Sequence, residues 1–313
     1  MQVSSEQPQT IQTTPHLLMI RPVHFGYNEQ TAGSNAFQHI DHSYSAEEIR
    51  ARAQAEFDAF VDKLRGAGID VAVFDDTSEP HTPDAVFPNN WITTHRDGTI
   101  VLYPMQAPNR RLERRADVVR HVGQYYLAPR VLDLSAYEAE GRYLEGTGSM
   151  IMDRVHQRVY ACVSPRTDAA LFQWFCHEMA CDGYLFEAVD ALGQQIYHTN
   201  VMMALGTHLA VICLDAIHDL QARVRVVHSL EETGHEIVPI TYSQMLSFAG
   251  NMLEVCNDRG EPFMVMSRRA FDALRPDQIA TIERYAAILV GELDVIETYG
   301  GGSVRCMMAE IFR

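Results

Sequence analysis

No stretch of this 313-residue chain comes near the roughly 18 apolar residues in a row that a membrane-spanning helix needs, so no membrane partner is expected. The N-terminus, Met1 to Thr10, has neither a basic region nor an apolar core and does not read as a secretory signal. Positive charge is scarce. Against 25 Lys and Arg stand 41 Asp and Glu, and a net charge of −16 repels phosphate backbones, which argues against a nucleic-acid partner. Cysteine is sparse too: Cys162, Cys176, Cys181, Cys213, Cys256 and Cys306 in so long a chain require no disulfide framework, and a reducing cytoplasm is the expected setting. What is there, 47% hydrophobic and 21% charged, is the composition of a globular protein able to bury a large core.

The order of elements repeats along the chain. After a polar stretch over 1–13, expected to be a flexible arm, strand-like residues 16–20 lead through a loop rich in Gly, Asn and Ser to a helix opened by Ser45, with Glu47 and Glu48 in its first turn. Ile49, Ala53, Phe57, Phe60, Val61 and Leu64 fall at helical spacing, Gly66 and Gly68 stop the helix, and a strand follows over 69–74. Hairpins are then expected at 85–94 with 99–103, 143–152 with 158–163, 195–205 with 208–214, and 248–256 with 262–266. Each is followed by a helix (110–123, 167–180, 217–233 and 267–289) and a closing strand (131–134, 184–189, 236–240 and 294–298). The last segment, 306–312, is a strand of the first type with no unit left to serve except the N-terminal one. Five ββαβ units closed by that strand make a ring, an α/β fold with fivefold pseudo-symmetry, in one domain over 14–313.

A ring places equivalent residues around one axis. Asn90, Glu145, His198, Asn251 and Cys306 recur at intervals of 53 to 55 residues, each at an otherwise apolar place in the first strand of its unit. Taken singly, each has a plain structural role: Glu145 a surface charge, His198 a satisfied core histidine, the asparagines turn residues, Cys306 a small buried side chain. Taken together at equivalent positions, they read as a converging site. Cys306 also stands behind Gly300-Gly301-Gly302, and three glycines in a row let backbone approach something closely.

Leu144-Glu145-Gly146-Thr147-Gly148, Pro165-Arg166-Thr167-Asp168, Tyr197-His198-Thr199-Asn200 and Gly302-Ser303-Val304-Arg305-Cys306, in that order, resemble the signature segments of the pentein, or amidinotransferase-type, superfamily. Ser149 stands where the family has an aspartate. Thr14-Pro15-His16, Arg21-Pro22 and Phe87-Pro88-Asn89-Asn90-Trp91 look more narrowly like the branch described as citrulline-utilisation hydrolases. The resemblance implies a five-bladed α/β propeller and a triad of Cys306, His198 and Glu145. It further implies that Asn90, Asn200 and Asn251 line the pocket, and that Arg110 or Arg111 and Arg166 hold the substrate's carboxylate.

The chemistry fits those residue types. A thiolate attacks a planar urea- or guanidine-like carbon, and an imidazole serves as acid and base in turn. Asparagines where arginine deiminases carry aspartates point to a neutral ureido group, hence to citrulline giving ornithine, ammonia and carbon dioxide. Arginine deiminases, dimethylarginine or acylarginine dihydrolases and amidinotransferases share the scaffold and are the alternatives, with a non-catalytic binding module further off. No cofactor and no metal is expected. Cys176-His177-Glu178-Met179-Ala180-Cys181 gathers ligand types on a helix, but residues five apart do not share a helix face. The expected partner is a small amino-acid substrate, with room for a homodimer.

Overall fold

The computed structural model describes residues 11–39 and 43–313 and holds five three-stranded sheets. The first is completed by the far end of the chain. Strand β1 (His16–Arg21) pairs in parallel with β2 (Asp70–Asp75) on one side. On its other side, Leu17 and Leu18 pair with Glu310 and Ala309 of the last strand. The helix Ala46–Gly66 connects β1 to β2. Its capping box joins Ser45 to Glu48, and its buried face is the sequence-predicted set Ile49, Ala53, Phe57, Phe60, Val61 and Leu64.

The other four sheets repeat one plan: two antiparallel strands, a helical crossover, and a third strand parallel to the second. They are β3 (Ile92–Thr94), β4 (Thr99–Leu102) and β5 (Arg130–Asp133); then β6 (Met150–Asp153), β7 (Arg158–Cys162) and β8 (Asp182–Phe186). Next come β9 (Met203–Leu205), β10 (Leu209–Ile212) and β11 (Glu236–Pro239), followed by β12 (Leu253–Cys256), β13 (Pro262–Ser267) and β14 (Ala287–Gly291). Strand β15 (Ala309–Glu310) returns to β1 as expected. This is the fivefold α/β plan that the repeats and the resemblance imply. Among the described residues no helix is long and apolar enough to cross a membrane.

Three local expectations need correction. The helix expected over 267–289 is two, Arg268–Ala273 and Pro276–Glu283, because Pro276 cannot continue a helix but suits its first turn. The run Ala287–Gly291 then forms the closing strand, and the residues expected as strand over 294–298 lead instead into a wide helical turn, Ile296–Gly300. The helix expected over 110–123 is likewise divided, into Pro108–Arg111 and Ala116–Gly123. Of the expected arm over 1–13, residues 1–10 lie outside the described residues. Gln12, by contrast, is buried and tied to the backbone of Met152 and Arg154.

Candidate active site

The five recurring residues stand at the mouths of the strands, not within them. Asn90 ends a short 3-10 turn before β3, and Glu145 and His198 each precede a single helical turn, Gly146–Ser149 and Thr199–Val201. Asn251 closes a tight connection to Phe248, and Cys306 lies in the one-turn helix Val304–Met307 ahead of β15. A strand would commit such a side chain to one face of its own sheet, whereas a turn at the strand's mouth can aim it at the neighbouring modules. Close approach is built in. A Cβ on Gly148 would lie 2.3 Å from Nδ2 of Asn90 and 2.7 Å from Nδ1 of His198, and one on Gly302 would strike the Phe87 ring.

Asp84, Asn90, Arg110, Arg166, His198 and Cys306 line one small pocket of about 10 Å³. A larger cavity, about 250 Å³, lies elsewhere, around Asp153, Phe175 and Cys181. In the pocket, Nε2 of His198 donates to Oε2 of Glu145 at 2.8 Å, while Oε1 of Glu145 accepts from the Gln106 amide at 2.9 Å. Burial alone would push the Glu145 carboxyl up, but Arg166, His198 and Arg110 outweigh it and hold it down at about 2. Burial lowers His198 to about 4, with Glu145 opposing. The resting pair is therefore a carboxylate and a neutral imidazole whose Nδ1 stands beside Gly148 and Asn90.

Two amide groups point at the sulfur of Cys306. Nδ2 of Asn200 lies 3.3 Å and Nδ2 of Asn251 3.4 Å from Sγ of Cys306, the arrangement that solvates a sulfur bearing negative charge. Asn251 is itself fixed, accepting from the Arg305 amide at 3.1 Å and donating to the Asn200 carbonyl at 3.0 Å. It stands behind the sulfur, and of the three asparagines expected to line the pocket only Asn90 does; Asn200 and Asn251 reach the site through the Cys306 sulfur.

The three arginines separate. Arg110 is buried and spends its donors internally, on both oxygens of Glu113 at 2.9 Å, on Oδ1 of Asn90 at 2.7 Å and on the Phe87 carbonyl at 3.1 Å. A guanidinium only donates, so Arg110 fixes the amide carbonyl of Asn90 toward itself and turns Nδ2 away, where it is buried without a partner. Arg166 lies with its guanidinium 4.8 Å over the Tyr197 ring, held by Ser34 and Thr31 and 3.6 Å from Glu145. Arg111 bonds the Met105 and Gln106 carbonyls outside the pocket.

The sequence reading missed Asp84. Its Oδ2 accepts from Asn28 at 2.7 Å, while Oδ1 is buried without a partner. Next to Pro83 it reads as a turn residue, and no spacing marks it. Tyr197, adjacent to His198, was also passed over; its hydroxyl donates to the Gly301 carbonyl at 2.9 Å and so ties the glycine run to the pocket.

A family model described as "N,N dimethylarginine dimethylhydrolase, eukaryotic" matches residues 21–313. No curated protein sequence matches. Among solved structures, the N-terminal domain of ArgZ, an arginine dihydrolase from the ornithine-ammonia cycle in Cyanobacteria, gives a TM-score of 0.72 at 16% identity, covering 95% of this chain and 97% of that one. AgrE in its binary complex with L-arginine gives 0.72 at 15% identity over 95% of this chain and 40% of that one. A dimethylarginine dimethylaminohydrolase adduct with S-methyl-L-thiocitrulline gives 0.63 at 15% identity, covering 95% and 99%. At such identities the likeness carries the fold.

Proposed function

Because this chain belongs to the N,N-dimethylarginine dimethylhydrolase family, in the pentein superfamily, and is thus a hydrolase of C–N bonds in arginine-related compounds, we propose that its substrate is citrulline. The observation that carries this reading is a pair of buried, unpartnered amide atoms of opposite sense, the donor Nδ2 of Asn90 and the acceptor Oδ1 of Asn200. A ureido group offers one carbonyl acceptor and several N–H donors, and so matches both. A guanidinium has no acceptor and would leave Nδ2 of Asn90 unsatisfied.

Cys306 attacks the ureido carbon, and Nδ2 of Asn90 donates to the oxygen on which negative charge gathers. His198, neutral at rest, takes the thiol proton, becomes an imidazolium held by Glu145, and delivers the proton to the departing nitrogen. It then deprotonates the water that releases the adduct. Arg166 is the group left to meet the substrate's carboxylate, since Arg110 is engaged in the wall.

A second reading rests on the unpartnered Oδ1 of Asp84, an acceptor suited to the N–H groups of a guanidinium. Arginine would then be the preferred substrate. Specificity constants for citrulline and arginine separate the two, measured in wild type, in Asp84→Asn and in the Asn90→Asp, Asn200→Asp double variant. The citrulline reading expects wild type to prefer citrulline and the double variant to move toward arginine. A wild type that prefers arginine, with the preference lost in Asp84→Asn, overturns it in favour of the second.

A further inference from the structure

The Cys176 to Cys181 segment, which the hydrolytic site does not use, is brought together by the way its helix ends. Helix Ala169–Glu178 stops where Ala180 takes a left-handed conformation, φ 51°. The amide of Cys181 then donates to the Cys176 carbonyl at 2.9 Å, and that of Ala180 to the His177 carbonyl at 3.2 Å. These two bonds define a Schellman motif, in which the side chains three residues inside the helix end and two beyond it come into contact. Here both are cysteines. Residues five apart that do not share a helix face meet because the helix has ended between them.

The two thiols differ in exposure. Cys176 is 5% exposed and packs so closely on the start of β8 that a Cβ on Gly183 would lie 2.9 Å from its sulfur. Cys181 is half-buried and lines the 250 Å³ cavity, which Arg96, Arg154 and Arg158 also line. Sγ of Cys181 lies 3.6 Å from the Cys176 carbonyl oxygen.

We propose that Cys176 and Cys181 form a reversible dithiol–disulfide couple, a modification site separate from the hydrolytic centre, in which Cys181 meets hydrogen peroxide from the cavity and Cys176 resolves it. The Cys181 thiolate attacks one peroxide oxygen, the O–O bond breaks, and a sulfenic acid and the first water are formed. The Cys176 sulfur then attacks the Cys181 sulfur, the S–S bond forms, the S–O bond breaks, and a second water leaves. The two thiols supply the two electrons and two protons that reduce one peroxide to two waters. The thiol hydrogen bond from Cys176 lowers the Cys181 thiol, against the opposing effects of burial and Asp182.

The test is peptide mapping of the whole reduced protein after graded hydrogen peroxide and a maleimide quench. Cys256, half-buried, is the internal comparator. The expected result is a peptide two hydrogens lighter that spans Cys176 and Cys181, formed about tenfold faster than Cys256 loses its thiol and reversed by a dithiol reductant. In Cys176→Ser, Cys181 is expected to stop at a sulfenic acid that a cyclic 1,3-diketone traps. Loss of Cys181 and Cys256 at equal rates, or a wild type in which Cys181 also stops at the trappable sulfenic acid, overturns the proposal.

Discussion

The two walls of the pocket are built of opposite materials. The wall from residues 84 to 113 is ionic: Asp84, Arg110 and Glu113 are all buried, with Arg110 bridging the two carboxylates and Asn90. Burial pushes Glu113 up to about 7 even with Arg110 drawing it back. The side around the Cys306 sulfur is neutral, with the amides of Asn200 and Asn251 set behind the thiol. A charged network fixes geometry firmly, because each broken pair strands a buried charge. A neutral wall leaves the sulfur free to acquire charge during reaction, with amide dipoles already in place. The ionic side thus orients Asn90, and the neutral side sets two amide donors against the sulfur.

The largest expected effect falls on the neutral wall. Cys306→Ser should abolish turnover while circular dichroism stays unchanged, and intact mass of the wild type under substrate should show an adduct that the variant lacks. A serine variant that keeps more than a few per cent of activity contradicts a covalent role for this residue.

Next comes the pair that joins the walls. His198→Ala and Glu145→Gln should each reduce turnover by about two to four orders of magnitude. His177→Ala, on the outer helix, should leave it nearly unchanged. Steady-state kinetics on the three variants checks this, and an equal loss at His177 would move the site elsewhere.

The ionic wall should respond in stability. Arg110→Met leaves Glu113 and Asp84 without their counter-charge and should cost about 3–5 kcal/mol in urea unfolding. Asn251→Ser, on the neutral wall, strands no charge and should cost far less. Similar losses in both variants would erase the distinction between the walls.

The smallest expected effect is a pH limb. His198 is depressed to about 4 by burial, so the free enzyme already holds the neutral base above that value. The acid limb of kcat/KM should therefore lie near pH 4 and not between 6 and 7. A limb at the ordinary histidine position would mean that burial does not depress the imidazole in the resting site.

The repeat was legible because its signals are local: helix caps, glycine stops and the alternation of short apolar runs recur with a fixed period that needs no partner to be seen. Boundaries slipped where one residue outweighed the pattern, as at Pro276, which divided a helix and shifted the closing strand to Ala287–Gly291. The period also singled out Asn90, Glu145, His198, Asn251 and Cys306, since equal spacing along a pseudo-symmetric chain becomes nearness in space. Tertiary structure alone decided which atoms those residues present. Asn90 offers its N–H group because Arg110, from the crossover, holds its carbonyl; Asn251 stands behind the sulfur because Arg305 and Asn200 pin it; and Asp84 enters the pocket from a turn with no periodic mark. Residue type and spacing are written in the chain. The direction of an amide, and the partners on which an arginine spends its donors, depend on what only folding brings within hydrogen-bonding distance.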